Sequence, residues 1–341
     1  MNSMDSSIKK ILIIGLGAIG MRHLKIIKKL FPKIKIIALR HQPCDQEEAD
    51  SLGLDDCVDN IEKALEFNPD AAIISNPSTM RLELINLLAE KGVHLFIEKP
   101  ISASSEGIQE LIDLCNHKGI VLMTGYNLRF LPSLVEFRKE LDKGKIGNIL
   151  SFQAEVGQNL SKWRPNKHYK KTVSSQKRLG GGVLLELSHE IDYINWIFGK
   201  IGWVKSHVSN QSELEIDVED NANIIFGFKR QKNYEIIGLL NMNFYQYDIS
   251  RKCKVIGEKG TLLWDGVAGE VKFYGEKAER WKTVFSSCPD RDFTYIEEIK
   301  NFFTSIENNK KPHISGNDGL DVLKVIDAIR QSNLQGNVVY L

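Results

Sequence analysis

Gly15-Leu-Gly-Ala-Ile-Gly20 is the feature that most narrows what this chain can become. A G-x-G-x-x-G hexad alone is a weak signal, because glycine-rich hexads are common in loops. Here it directly follows the apolar run Lys10-Ile-Leu-Ile-Ile14 and directly precedes a helix-like stretch from about Ala18 to Leu30. That context gives the pattern physical meaning. The first glycine permits a tight turn, the second lets the backbone approach a pyrophosphate, and the third lets helix and strand pack closely. The helix opening at Ala18 and Ile19 then aims its N-terminus at phosphate charge. Gly15, Gly17, Ala18, Ile19 and Gly20 are therefore expected to hold a dinucleotide.

The surrounding pattern fits. Apolar runs of strand length at Ile34–Leu39, Ala71–Ser75, Val93–Ile97 and Ile120–Thr124 alternate with amphipathic segments at Thr79–Lys91 and Ser104–Lys118. Pro32 stops the first helix and Gly92 a later one. Strands buried on both faces read as continuous apolar runs, and strand–helix alternation implies parallel pairing with right-handed crossovers. The expected fold class is α/β, with a doubly wound parallel sheet in residues 1–125.

Beyond that point the rhythm changes. Ile149–Val156 alternates like a strand and Gly157–Leu179 is loop-like. One helix is expected over Val183–Phe198, opened by Gly180-Gly181-Gly182. Strand patterns follow at Trp203–Ser209, Asn221–Phe228, Tyr234–Asn243, Arg251–Gly257, Gly260–Asp265 and Val271–Tyr274, with helices near Tyr295–Asn308 and Leu320–Ser332. Turns such as Gly257-Glu-Lys-Gly260 suit hairpins. Residues 126–341 thus read as a second α/β domain with a mostly antiparallel open sheet, whose C-terminal helices could pack back on the first. A length of 341 residues suits two domains.

Composition removes other classes. With 45 Lys and Arg against 44 Asp and Glu, the net charge of +1 lacks the basic excess of a nucleic-acid binder. The N-terminus reads as polar, without the apolar core of a signal peptide, and no apolar run reaches membrane-spanning length. The five cysteines form no C-x-x-C pair and read as reduced cytoplasmic thiols. The histidines show no metal-ligand spacing. A cytoplasmic protein without metal, membrane or nucleic-acid partners is expected.

Two segments carry candidate chemistry. At the end of the second strand, Arg40-His41 stands where an acidic residue would select the ribose hydroxyls of NAD, with no acid before Asp45. A guanidinium suits the 2′-phosphate of NADP, which is favoured over NAD, although strand ends commonly carry a surface Arg. Glu98-Lys99-Pro100 ends the strand Val93–Ile97, on the carboxyl side where such sheets bind ligands. Lys99 there can stabilise an alkoxide-like oxygen or relay a proton, or be a plain Lys-Pro turn. On the expected helix after the glycines, Glu186, His189 and Tyr193 share a stripe. A carboxylate one turn before an imidazole can orient a general acid/base, though most such pairs are surface decoration.

With these residues in hand, the chain resembles the Gfo/Idh/MocA family of NAD(P)-dependent sugar oxidoreductases. The matching pieces are Gly15–Gly20, Ser75-Asn-Pro77, Glu98-Lys-Pro100, Gly125-Tyr-Asn-Leu-Arg-Phe130 and Gly180–Gly199, in the family's order and spacing. The resemblance implies a Rossmann domain followed by a substrate-binding and oligomerisation domain, as a homodimer or homotetramer. It implies Lys99 as the catalytic lysine and His189 as the catalytic histidine, with Asn76, Pro77, Glu98 and Asn127 near the cofactor. Family members build the substrate pocket where Asn159–Tyr169 lies, which makes Trp163, Arg164 and Tyr169 candidates for a sugar face, a carboxylate or phosphate, and a hydroxyl. Packing of Trp163 as a loop anchor is the simpler alternative. Many members carry Asp four residues before the histidine, whereas this chain has Leu185 there and Glu186 three before, so Glu186 is a candidate acid with an altered reach. The expected reaction is hydride transfer between nicotinamide and a secondary alcohol or ketone of a sugar or nucleotide sugar, in the manner of bacterial surface-polysaccharide enzymes. A redox-neutral reaction on a retained cofactor and a non-catalytic dinucleotide sensor are the alternatives.

Overall fold

A computed structural model describes residues 6–42, 46–164, 167–228 and 235–341. Asp45, the first acid after Arg40 in the sequence, and Tyr234, at the start of one expected strand, lie outside the described residues, as does Cys44.

In chain order the first elements are β1 (Lys10–Ile14), α1 (Ala18–Leu30), β2 (Lys35–Leu39), α2 (Gln46–Leu52), β3 (Asp56–Val58), α3 (Ile61–Glu66), β4 (Ala71–Ile74), α4 (Leu82–Glu90), β5 (His94–Glu98), α5 (Ile108–Lys118) and β6 (Leu122–Gly125). There follow α6 (Pro132–Asp142), β7 (Ile149–Gly157), α7 (Val183–Glu186), α8 (His189–Phe198), β8 (Ile201–Ser209), β9 (Asn221–Phe228), β10 (Ile237–Asn243), β11 (Ser250–Gly257), β12 (Gly260–Asp265), β13 (Glu270–Gly275) and β14 (Lys282–Ser286). The chain continues through α9 (Phe293–Glu307), α10 (Gly316–Gln335) and β15 (Val339–Tyr340). These elements form two units, residues 1–127 with 292–320, and residues 128–291 with 321–341.

The first unit is built on a six-stranded parallel sheet of order β3-β2-β1-β4-β5-β6. Its central strands are apolar on both faces and essentially inaccessible, from Ile11 to Ile13, Ala71 to Ile74 and Leu95 to Ile97. That is why they read as unbroken apolar runs rather than alternations. Strand order reverses between β1 and β4, so a ligand crevice is expected at their carboxyl ends. Gly15 follows β1 and Ser75 follows β4 at that place. The sheet also recruits the late segment α9, where Phe303 stacks on Phe31 at 4.1 Å between ring centroids and Phe302 meets Phe96 edge-on at 5.7 Å.

The second unit carries a nine-stranded sheet of order β14-β13-β12-β11-β7-β10-β9-β8-β15. It is antiparallel except for the β7–β10 pair, which runs parallel. One face packs a core in which Phe152 stacks on Phe198 at 4.1 Å and fully buried Trp264 meets Tyr193 edge-on. The indole N–H of Trp264 donates to Ser133 Oγ of α6 at 3.0 Å, so this buried aromatic leaves no polar atom unmatched.

Two expectations need correction. The helix expected over Val183–Phe198 is two helices, because Leu187 leaves helical geometry at φ −99°, ψ 20°. Apolar spacing runs through the break and hides it. Glu219 accepts from Leu184 N at the start of α7, and the buried carboxylates of α8 have partners described below. The thiols also differ from expectation. Cys115, Cys253 and Cys288 are free, but Cys57 on β3 is disulfide-bonded. Among the described residues no helix is long and apolar enough to cross a membrane, and no cluster of three His, Cys, Asp or Glu could hold a metal.

Candidate active site

The dinucleotide turn is shaped by what its glycines exclude. Gly15 has φ +87°, and a Cβ there would lie 2.9 Å from Asn76 N. A Cβ on Gly20 would lie 2.0 Å from Gly15 O and 2.6 Å from Ser75 Oγ, so α1 rests directly on the turn. Ser75 Oγ seals this contact, donating to Gly15 O at 2.6 Å. Beside Gly17, in contrast, the space a Cβ would enter is open. Gly17 caps α1, whose first turn has no side-chain cap and no acidic residue, so the N–H groups around Ala18 and Ile19 present uncompensated positive potential. Asn76 adds a buried Oδ1 that has no hydrogen-bond partner among the described residues, while its Nδ2 donates to Met80 O at 3.0 Å. Open space at Gly17, an uncapped helix and an unmatched acceptor fit a dinucleotide. Changing Gly20 to Ala is expected to force the helix off the turn and raise the NADH dissociation constant at least about tenfold, read by fluorescence titration.

At the end of β2, Arg40 N donates to Val58 O, and its guanidinium lies 2.8 Å from Glu48 Oε1 of α2. His41 beside it is exposed. An acid therefore does stand near this strand end. It comes from α2 rather than from β2, which is why a scan of the strand alone misses it.

Lys99 follows β5 directly and its peptide bond to Pro100 is cis. Glu98 is turned inward: Oε1 is 2.6 Å from His23 Nε2 of α1, and Oε2 accepts from Lys99 N at 3.2 Å. His23 is fully inaccessible. Around this pair, Tyr295 of α9 has its hydroxyl pushed up to about 12, chiefly by burial and then by the Glu98 charge, with Arg22 opposing. Pro77 opens the short turn that ends at Met80. Asn127 is buried, and its amide Nδ2 donates to Thr294 Oγ1 at 2.9 Å. Arg81, which sequence reasoning missed, is 4 % exposed, and its guanidinium donates to Asn76 O, Glu98 O and Pro100 O.

In the second unit, the three glycines permit close contact with the preceding loop. Gly182 N donates to Ser174 O, and a Cβ on Gly181 would lie 2.4 Å from Val173 O. This seats Ser174, whose Oγ donates to Glu186 Oε2 at 2.5 Å. Gly182, at φ +97°, packs on the carboxylate of Glu219, whose proton is held more tightly than usual because the group is buried. His189 is the first residue of α8 and half-buried. The same first turn is pinned: Glu190 Oε1 accepts from Arg251 Nε at 2.7 Å, and Asp192 takes a two-point bond from Arg129 at 3.0 and 2.6 Å. Arg129 and Asp192 are 5 % and 0 % exposed.

The loop candidates divide. Trp163 is an anchor, meeting Phe244 edge-on at 5.1 Å and donating its indole N–H to Gln158 O. Arg164 is exposed. Tyr169 accepts Thr172 Oγ1 and Ser175 Oγ on its carbonyl, and its phenol oxygen accepts from Glu215 N at 3.4 Å. Trp163, Arg164, Lys167 and Tyr169, with Leu160, Thr172 and Ser174, line a crevice too tight to admit a water molecule.

Comparison with known proteins agrees with this architecture. Residues 9–126 match the oxidoreductase family's NAD-binding Rossmann fold, and residues 138–341 match its C-terminal alpha/beta domain. A myo-inositol 2-dehydrogenase of Thermotoga maritima is 25% identical over 337 residues, spanning 94% of this chain and 95% of the relative. A levoglucosan dehydrogenase in complex with NADH superposes with a TM-score of 0.83 at 22% identity, covering 97% of this chain and 98% of the other. The WlbA dehydrogenase from Bordetella pertussis, in complex with NADH and UDP-GlcNAcA, gives 0.80 at 20% identity, with 98% of each chain covered. With both profiles matched in order across nearly the whole length, the chain belongs to the Gfo/Idh/MocA family of NAD(P)-dependent oxidoreductases.

Proposed function

We propose that this protein is a dehydrogenase or reductase acting on a secondary alcohol or ketone of a sugar derivative that carries negative charge. The observation that carries the reading is Lys99, placed directly after β5 on the ligand side of a sheet whose glycine turn fits a dinucleotide. The nicotinamide, when bound, supplies or accepts the hydride. Lys99 holds the reacting oxygen and stabilises charge as it develops there. His189 moves the hydroxyl proton, and Glu186, steadied by Ser174, orients the histidine or the substrate. Asn76, Pro77, Glu98 and Asn127 shape the walls on the cofactor side. An acidic or nucleotide-linked sugar, of the kind surface-polysaccharide pathways use, is supported by the exposed cations Arg164 and Lys167 on the loop that carries Tyr169. Trp163 serves the same loop as its anchor.

We further infer a modest preference for NADP over NAD. Arg40 offers a guanidinium to a 2′-phosphate, and Glu48 opposes it by pairing with that guanidinium and repelling the phosphate. Exposed pairs of this type are worth well under about 1 kcal/mol, so the preference should be only a few-fold. Glu48→Gln should widen it and Arg40→Ala reverse it, read by parallel titrations with NADPH and NADH. The protein should work in the cytoplasm as a homo-oligomer, supported by Ile225 and Leu239, paired across β9 and β10 on the exposed face of the sheet. Light scattering in solution checks that state.

The test of the activity is a panel of inositols, anhydrosugars and UDP-linked hexuronates with NAD and NADP in parallel, scored by nicotinamide absorbance. Turnover faster on charged sugars supports the reading. Turnover confined to neutral polyols overturns the substrate class, and no turnover with any member overturns the activity.

A further inference from the structure

Arg81 sits at the start of α4, a position where an arginine ordinarily reaches into solvent, yet it is 4 % exposed. Burying a guanidinium is costly unless its fork of donors is matched. Here the partners are backbone carbonyls of two different loops. Nε and Nη2 donate to Asn76 O at 2.8 and 2.5 Å, and Nη1 donates to both Glu98 O and Pro100 O. The last two carbonyls bracket Lys99, so the backbone on both sides of the lysine is held by one planar cation. The first belongs to the loop after β4, whose Asn76 packs against Gly15 of the dinucleotide turn. Glu98 is fixed independently through its side chain by His23 and Lys99 N.

We propose that Arg81 is a positioning residue that couples the cofactor-side loop at Asn76 to the backbone of Lys99, so that binding the dinucleotide stiffens the segment from which Lys99 acts. The proposal rests on the catalytic reading of Lys99. A lysine at position 81 would keep the charge but has no planar fork to span three carbonyls.

The test uses the full-length protein, with Arg81→Met and Arg81→Lys variants and Lys99→Ala as control. Amide hydrogen exchange is followed across residues 97–104 with and without saturating NADH, whose binding is measured separately by fluorescence. In the unaltered protein NADH should slow exchange in this segment at least about fivefold. Both Arg81 variants should bind NADH within about threefold of normal yet lose that protection. Their kcat should fall about 30-fold or more with the sugar KM little changed, and the primary isotope effect from C4-deuterated NADH should rise, because positioning is lost at the chemical step. A merely structural role would lower activity only in proportion to the protein that still binds NADH, with the isotope effect unchanged, and that result overturns the proposal. So does retention of NADH-dependent protection in the variants. Should Arg81→Met fail to fold, Arg81→Lys carries the comparison. Normal turnover in Lys99→Ala would instead refute the role of Lys99 while the exchange data still decide whether the coupling exists.

Discussion

Lys99→Ala is expected to lower kcat by about 10²–10⁴-fold while leaving the NADH dissociation constant within about threefold. His189→Ala should behave similarly. The split follows from where the groups stand. In the proposed reading phosphate is recognised by the turn Gly15–Gly20 and the uncapped start of α1, whereas Lys99 lies on a different strand end. Its backbone is fixed by Arg81 and by Glu98, so removing the ammonium should not disturb the loop that carries it. Lys99→Arg should recover little, because a planar fork replaces a compact point charge. Near-normal turnover in both alanine variants would remove these residues from the mechanism. A large loss of cofactor affinity in Lys99→Ala would show instead that the lysine serves binding.

Asp192→Ala is expected to produce the largest loss of stability. The carboxylate is fully inaccessible and takes two hydrogen bonds from Arg129, itself 5 % exposed, so the variant deprives a buried cation of its paired carboxylate. Breaking a buried pair from one side costs about 3–5 kcal/mol, which lowers the melting midpoint by roughly 6–20 °C for a unit of this size. Replacing both partners with apolar residues of similar volume should cost far less, since no charge is left alone. Calorimetry on the single and double variants checks the order. A midpoint within about 2 °C of normal for Asp192→Ala would mean the arginine finds other partners or water.

Much of the fold was legible because its physics is local. The parallel strands are buried on both sides and show as apolar runs, and the glycines occupy positions where a Cβ would collide with Gly15 O or Asn76 N. Short elements escaped: β3 has three residues, too few for a period to register. Helix α6 was also passed over, although Pro132 at its first turn and the spacing of Leu134, Phe137 and Leu141 were usable signals. Of the candidate site, Lys99, His189 and Glu186 stand out by type and context. Their supports do not, because each acts over a sequence gap set by the fold: His23 reaches Glu98 across 75 residues, and Glu219 reaches Leu184 across 35. Nothing in the sequence pairs Asp192 with Arg129, 63 residues away. The break at Leu187 was invisible because apolar spacing continues across it.

The recruitment of α9 into the parallel sheet's unit has a consequence for how the molecule is made. Phe31 and Phe96 belong to strands and helices synthesised early, but the rings that cover them, Phe303 and Phe302, are added only after every strand from β7 to β14. On the ribosome, the dinucleotide-binding half therefore waits with part of its apolar surface uncovered while the other unit is being translated. Premature release before residue 292 would leave that surface without its partner, a species for chaperones or aggregation rather than a free-standing nucleotide-binding module.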